Sequence, residues 1–405
     1  MSDLVRQQYE HLPYPHRDPA IELESGLELG VLDTLAAIDH TVFGGRWDRR
    51  KPCRILVAGG GTGDALVALA QQCADAKIPA EVVYLDLSEA SRRIAEARAA
   101  VRGLRNVHFV TGSLLDLGRL DLGRFDFINC SGVLHHLDDP PAGMAALAAA
   151  LAEGGGMAVM LYGALGRTGV YPVQDMLRHL VPPDLPPHER LAVAKRLIAQ
   201  LPPSNWLRRN TGMVDYKLDD ASLYDELLHS CDRAYSVREV HQLAETAGLR
   251  VAALMPPALY DPLSYVKGDV VAARAAALSP MERAQFAENW IGALKKHSFF
   301  LVAADNPVAP PSPDQDRAVP CWSVPPPLPP AGQGAVIQMM QQGLPLGVQL
   351  TPEATLIARA IDGRADLAAL RRATKLPPPV FRDQFTAMFR QLNAMGALYL
   401  RLPRG

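Results

Sequence analysis

The chain has 405 residues, 48% of them hydrophobic, and 41 Lys and Arg stand against 43 Asp and Glu for a formal charge of −2. This length exceeds one ordinary core and predicts two or three structural units. The near-neutral balance, with basic residues spread out, gives no electrostatic reason to expect bulk nucleic-acid or membrane binding. The five cysteines (Cys53, Cys73, Cys130, Cys231, Cys321) form no CxxC pair and no metal spacing, so reduced thiols in a cytoplasmic protein without a metal are expected. Residues 1–6 lack the apolar core of a signal peptide, and no uncharged apolar run approaches the ~20 residues that span a bilayer.

Residues 1–50 read as an N-terminal lid or helical segment. From position 54 short β-branched runs alternate with Ala/Leu/Arg-rich stretches: strands at 54–58, 81–86, 107–111, 125–130 and 157–161, and helices at 64–74, 88–101 and 141–151. Alternation of this kind predicts an α/β fold with a doubly wound parallel sheet. Gly154, Gly155 and Gly156 are expected to close the third helix and turn the chain into the fifth strand. Residues 163–235 break the rhythm as a helical insertion, with helices near 189–201 and 221–229. Order resumes at Ser236 and Glu239, a capping box opening a helix, followed by strands at 250–254 and 298–302. The sheet domain therefore spans 51–303. Residues 304–334 hold Pro310-Pro311, Pro325-Pro326-Pro327 and Pro329-Pro330, a stiff linker expected to form neither helix nor central strand. In the small α+β module at 335–405, Phe381, Phe385, Met388, Phe389 and Leu392 recur at helical spacing, and Gly396 precedes a strand at 397–400. Helices followed by a short strand suggest a winged-helix-like unit.

The first strand runs into Gly59-Gly60-Gly61-Thr62-Gly63 and then a helix. Glycines let backbone approach a ligand closely, and a helix N-terminus offers free N–H donors. Dinucleotide-binding turns place the third glycine one position later, where this chain has Asp64. A carboxylate there opposes a pyrophosphate, which favours a nucleoside ligand without phosphates, such as S-adenosylmethionine, over a nicotinamide cofactor. Asp86 closes the second strand, where a carboxylate accepts hydrogen bonds from ribose hydroxyls or caps the next helix.

In order and spacing, these segments resemble the class I methyltransferase set. Val83–Ser88 is similar to its ribose-binding segment, Asn106–Leu117 to its adenine segment, Phe125–Leu137 to its fourth-strand motif and Leu151–Gly156 to the turn before its fifth strand. The resemblance implies a Rossmann-like seven-stranded sheet of order 3-2-1-4-5-7-6 with strand 7 antiparallel. It implies S-adenosylmethionine as cofactor, held by Gly59, Gly61, Thr62, Gly63, Asp64, Asp86, Leu87, Ser113, Leu114, Ser131 and Gly132. Two positions depart from it. Val57 stands where an acidic residue usually helps to hold the methionyl ammonium, a task left to Asp64, and Ser113 stands where Asp is common. The segment Gln8-Tyr9-Glu10-His11-Leu12-Pro13-Tyr14-Pro15, with Cys130–His136 and Leu161-Tyr162, further resembles a subgroup that includes protein-lysine methyltransferases of bacterial outer-membrane proteins. There the Tyr/Pro segment would lie over the cofactor.

Methyl transfer from a sulfonium needs alignment of nucleophile, methyl and sulfur, and a base only when the acceptor is protonated. His135 and His136 follow the fourth strand and are the candidate bases, with Tyr14 as a third catalytic candidate and Tyr9 and Tyr162 as candidate substrate contacts. Arg17 and Asp18 either anchor the lid or, on the plainer expectation, stay solvated. Trp206, Arg208 and Arg209 either contact substrate or lie on a helix surface. The expected partner is a protein, peptide or small-molecule methyl acceptor with an N or O nucleophile, and a homodimer is a candidate assembly. A cofactor-binding interaction protein without catalysis is the reading of another class that Val57 and Ser113 keep open.

Overall fold

The computed structural model describes residues 3–182 and 185–403. Helices α1 (Asp3–His11) and α2 (Leu35–Val42) precede the sheet. The strands follow as β1 (Cys53–Ala58), β2 (Ala80–Asp86), β3 (Val107–Thr111), β4 (Phe125–Ser131) and β5 (Leu151–Tyr162), with α3 (Asp64–Asp75), α4 (Glu89–Val101) and α5 (Pro140–Ala149) between them. Strands β6 (Leu249–Met255) and β7 (Lys296–Ala303) complete one seven-stranded sheet of order β3-β2-β1-β4-β5-β7-β6. Strand β7 runs antiparallel to both neighbours, as the resemblance implies. This is the Rossmann-like methyltransferase fold. Its central strands are mostly apolar because both faces are covered, with Asn129 of β4 a buried polar exception. Leu56, Ile128, Val159 and Leu301 face α5 on one side. Ile55, Val57, Phe127 and Phe300 face α2 and α3 on the other.

Between β5 and β6 lie α6 (Val170–Leu180), α7 (Pro187–Ala199), α8 (Trp206–Arg209), α9 (Asp220–Leu227) and α10 (Val237–Thr246). The first four close on a core of their own that includes Val173, Leu177, Leu191, Leu207 and Leu227. Helix α10 opens with the expected capping box of Ser236 and Glu239. Helices α11 (Asp269–Ala276) and α12 (Pro280–Ile291) precede β7.

Two expectations require correction. Gly154, Gly155 and Gly156 do not close α5, which ends at Ala149; they lie inside β5. The pairing of β4 with β5 jumps from Phe125↔Leu151 to Phe127↔Gly156, so the glycines accommodate an irregularity in one long strand. The Pro-rich segment forms neither helix nor central strand, as expected, but it is not all linker. Strand β8 (Val319–Trp322) pairs antiparallel with the last strand, and Pro320 stands opposite Leu400. A two-stranded ladder has only edges, and there a proline without an N–H is tolerated.

The C-terminal residues continue as hairpin β9 (Ala335–Gln341) and β10 (Leu344–Leu350), then α13 (Pro352–Ala360), α14 (Leu367–Thr374), α15 (Pro378–Ala394) and β11 (Leu398–Arg401). The Phe381 to Leu392 stripe is the buried face of α15. One apolar core joins these elements to Leu259, Tyr260 and Leu294 of the sheet domain. The Leu402 N–H donates to the Gly45 carbonyl at 2.7 Å, and His40 Nδ1 lies 2.8 Å from the Leu400 carbonyl oxygen. Among the described residues no helix is long and apolar enough to cross a membrane.

Because that core is shared, the C-terminal elements should not unfold separately. Phe385→Ala should cost about 3–5 kcal/mol in urea unfolding, within a single cooperative transition. Two resolved transitions would contradict the shared core.

Candidate active site

The turn after β1 is built from glycines of necessity. Gly59, Gly61 and Gly63 have φ of 71°, 50° and 101°, a region that side chains disfavour. A Cβ on Gly59 would collide with Val133, and one on Gly61 would meet the Tyr14 carbonyl oxygen at 2.9 Å. The Tyr14–Pro15 segment therefore lies over the turn. Thr62 Oγ1 donates to the Pro15 carbonyl at 2.7 Å, and Tyr84 Oη donates to the Gly61 carbonyl at 2.6 Å. Asp86 accepts the Gly61 N–H and the Ser88 N–H, both at 2.8 Å. The cap of α4 is Ser88, so Asp86 holds the turn instead of capping the helix.

Asp64, first residue of α3, is fully engaged by two guanidinium groups. Arg17 donates to its two oxygens at 2.8 Å each, and Arg98 Nη1 donates to Oδ1 at 2.7 Å. Burial alone would raise the Asp64 pKa, but these contacts outweigh it and hold the carboxyl below its usual range. Arg17 is thus an anchor of the lid, against the expectation of solvation, while Asp18 caps a short turn through the Ala20 N–H. Arg98 and Arg102 also converge on Glu22 at 2.6 Å each, and side chains 98 and 22 are 8% and 5% exposed.

Beside the turn opens a cavity of about 660 Å³ at the carboxyl ends of the strands. Of the expected cofactor residues, Gly59, Gly61, Asp64, Asp86, Leu87, Leu114, Ser131 and Gly132 line it. Thr62 is buried behind the turn, Gly63 caps α3, and the Ser113 hydroxyl accepts the Leu115 N–H at 3.2 Å; none of the three forms its wall. Tyr9, Tyr14, His136 and Tyr162 line it as well, whereas His135 does not. His135 is wholly buried, stacked on Tyr162 at 3.9 Å between ring centroids. Burial, reinforced by His136, pushes its pKa well down, and both ring nitrogens lack a partner among the described residues. Trp206, Arg208 and Arg209 stay off the cavity, with the Arg209 guanidinium 5.2 Å over the exposed Trp206 ring.

The far end of the cavity is built around Asp225, from α9. Tyr9 Oη donates to Asp225 Oδ1 at 2.8 Å, and Tyr162 Oη donates to Oδ2 at 3.1 Å. Burial, then Asp225, raises the pKa of both tyrosines, which remain phenols. His136, Asp225 and His229 bring their ligand atoms within 4.8 Å of one another. Their wiring suits protons better than a metal. The Cys231 N–H donates to His229 Nδ1 at 3.1 Å, so in the neutral ring Nε2 carries the hydrogen and faces Tyr9 Oη at 3.2 Å. A metal-binding imidazole does the opposite and presents a bare nitrogen. His136 has such a nitrogen: its Nδ1–H donates to the Cys231 carbonyl at 2.9 Å, which leaves Nε2 as an acceptor.

Behind this end, Arg167 is 1% exposed and pairs with Glu226 at 2.6 Å and Asp232 at 2.8 Å. Its guanidinium lies 3.7 Å over the Tyr162 ring and fixes that ring from below. Asp215, Met213, Lys295 and Lys296 add to the wall, and Gln341 and Gln342 at the β9–β10 tip reach its rim. Gln342 accepts the Lys296 N–H at 3.0 Å and donates to its carbonyl at 2.9 Å. None of Asp33, Asn129, Asp225, His229, Arg167 or Lys296 stands in a pattern that spacing along the chain reveals. Asp33 lies in the lid and Arg167, Asp225 and His229 in the insertion, while Asn129 stands in β4 and Lys296 opens β7.

Residues 56–157 match the family model described as a methyltransferase domain, a stretch that holds the turn, Asp86 and the β4 loop. An uncharacterized protein of Synechococcus sp. is 33% identical over 201 residues, 48% of this chain and 47% of that protein. The match thus spans about half the length of that relative. PKMT2 from Rickettsia typhi shares the fold. In its complex with AdoHcy it superposes with a TM-score of 0.59 at 18% identity, over 87% of this chain and 72% of that one. A second structure of it gives 0.60 at 17% identity over 99% and 75%.

The lid clamp has a measurable energetic signature. Glu22→Gln leaves the largely buried Arg102 side chain without its carboxylate and Arg98 with Asp64 alone, and should destabilise by about 3–5 kcal/mol in thermal or urea unfolding. Burial would raise the Glu22 pKa, but Arg98 and Arg102 bring it below the ordinary value. Its contribution is therefore complete above the unfolded pKa of ~4.3 and fades as pH falls through the lower folded value. The variant should lose that part of the acid dependence; an unchanged acid limb would contradict the clamp.

Proposed function

We propose that this chain is an S-adenosylmethionine-dependent methyltransferase whose acceptor is an amine nitrogen presented by a protein or peptide. The glycine cradle and the Asp86 carboxylate fit the nucleoside part of the cofactor. S-adenosylmethionine, when bound, supplies a methyl group already activated for in-line displacement. The observation that carries the acceptor reading is Asp225, held between Tyr9 and Tyr162 beside the bare Nε2 of His136. Asp215 and Glu226 also line the cavity, but Lys295 and Arg167 respectively balance their charge.

An amine at neutral pH arrives as an ammonium, with a pKa of ~10.4 for lysine. Asp225, held by two phenols, attracts and orients that cation. His136 Nε2 accepts its proton, which frees the nitrogen lone pair to attack. The tyrosine hydroxyls keep Asp225 in place, and the lid excludes water. The peptide reading rests on the Gln341–Gln342 rim, contributed by elements outside the matched domain. A small amine would meet the same carboxylate without needing that rim.

Tritiated methyl transfer into a lysate lacking the gene product, followed by mass spectrometry, should label a protein amine. Label confined to small molecules would move the assignment to a small-molecule enzyme. His136→Gln should lower turnover on the order of 10²–10⁴-fold while cofactor affinity in calorimetry stays unchanged. Unaltered turnover would remove His136 as the base.

A further inference from the structure

The carboxylates around the cavity differ in how their charge is balanced. Asp64 faces two guanidinium groups, and Glu226 and Asp232 share Arg167. Asp33 has no such partner. Its Oδ1 accepts from Asn129 Nδ2 at 2.8 Å and its Oδ2 accepts the Gly30 N–H at 3.2 Å. Among the described residues no cationic nitrogen pairs with it within 4.0 Å. Burial pushes its carboxyl up to about 6. Of the charged groups facing it, Asp64 on α3 adds to that rise, and Lys296 on β7 opposes it. Asp33 is half-buried, and charges drawn out of water are normally paired, so a carboxylate left this way in a cavity wall suits a ligand that brings the counter-charge.

The position of Asp33 is constructed. Gln72 of α3 donates to the Asp33 carbonyl at 2.7 Å and accepts the Leu35 N–H at 3.2 Å, which fixes the chain on both sides. Ser131 Oγ donates to Asn129 Oδ1 at 3.0 Å, so the Asn129 amide hydrogens turn toward Asp33. Val57 and Asn129 are register partners on β1 and β4, and their side chains share one face. Val57 brings no charge to that face; Asp33 does, from the lid. Asp86 closes β2 on one side of the glycine turn, and Asp33 rests on β4 on the other. Two strand spacings, roughly 10 Å, separate those strands. A ligand with its ribose at Asp86 that crosses the turn brings its other end to Asp33.

We propose that Asp33 binds the α-ammonium of the cofactor's amino-acid end. This rests on the cofactor reading above and adds to it which residue meets the ammonium. The lid then does more than cover the ligand: it supplies one of the ligand's charged partners, and ammonium binding helps to keep the lid in place.

Two ligands separate this role from general pocket structure. S-adenosylhomocysteine carries the ammonium, and 5′-methylthioadenosine lacks the whole amino-acid end. In calorimetry on the full chain, Asp33→Asn should weaken S-adenosylhomocysteine about ten- to hundredfold, the span expected for a charge-assisted hydrogen bond. Binding of 5′-methylthioadenosine should stay within about twofold, which also reports that the variant is folded. Asp33→Glu, which keeps the charge, should retain most of the affinity for S-adenosylhomocysteine. An unchanged affinity in Asp33→Asn, or equal losses for both ligands, would overturn the proposal. If the unmodified chain binds neither ligand, the cofactor reading fails and the anchor fails with it.

Discussion

The site depends on the neutralisation of Asp64. A carboxylate on the first turn of α3 is favourable to the helix dipole, yet it stands in a partly buried corner beside the glycine turn. Arg17 from the lid and Arg98 from α4 meet it there, and Arg98 and Arg102 go on to Glu22. One set of ion pairs thereby ties the N-terminal segment, α3 and α4 together. It also corrects the part given to Asp64 by sequence reasoning. Both its oxygens are spent on guanidinium groups, so it is a poor partner for a ligand ammonium. The case against a pyrophosphate then rests on more than its charge: the carbonyl oxygens of Tyr14 and Pro15 lie over the turn and would face the phosphates.

The remaining polar groups divide by task. Asp86 is held by backbone N–H groups beside the glycine turn, Asp33 sits without a cationic partner across it, and Asp225 lies between two phenols at the far end of the cavity. Three carboxylates thus meet one cavity in three different electrostatic settings. The insertion supplies Asp225, Glu226 and His229, and Arg167 at its start joins the Tyr162 ring to Glu226 of α9 and to Asp232.

Much of the sheet was legible because its signals are local. An apolar run followed by a glycine turn and a helix fixes β1 and α3 within a residue or two, and β2 to β4 follow by the same rhythm. The Ser236 and Glu239 box worked for the same reason: its two partners are three residues apart. Misreadings arose where one local signal has two physical meanings. Three glycines after a helix look like a stop, but here they sit in an irregular strand. Proline-rich sequence looks like a linker, yet Pro320 fits an edge strand that needs no donor at that position. The binding groups were least legible. Asp33 meets Asn129 across 96 residues, and Tyr9 meets Asp225 across 216. No spacing rule reaches that far, so His135 and His136 looked equivalent until the fold sent one into the core and the other to the cavity wall.

The account depends first on a nucleoside cofactor beneath the lid. Titration calorimetry of the purified chain with S-adenosylmethionine tests this most directly. Saturable binding with a stoichiometry of about one, undisturbed by excess NAD, is the predicted result. No measurable heat with S-adenosylmethionine, or displacement of it by NAD, would contradict the account.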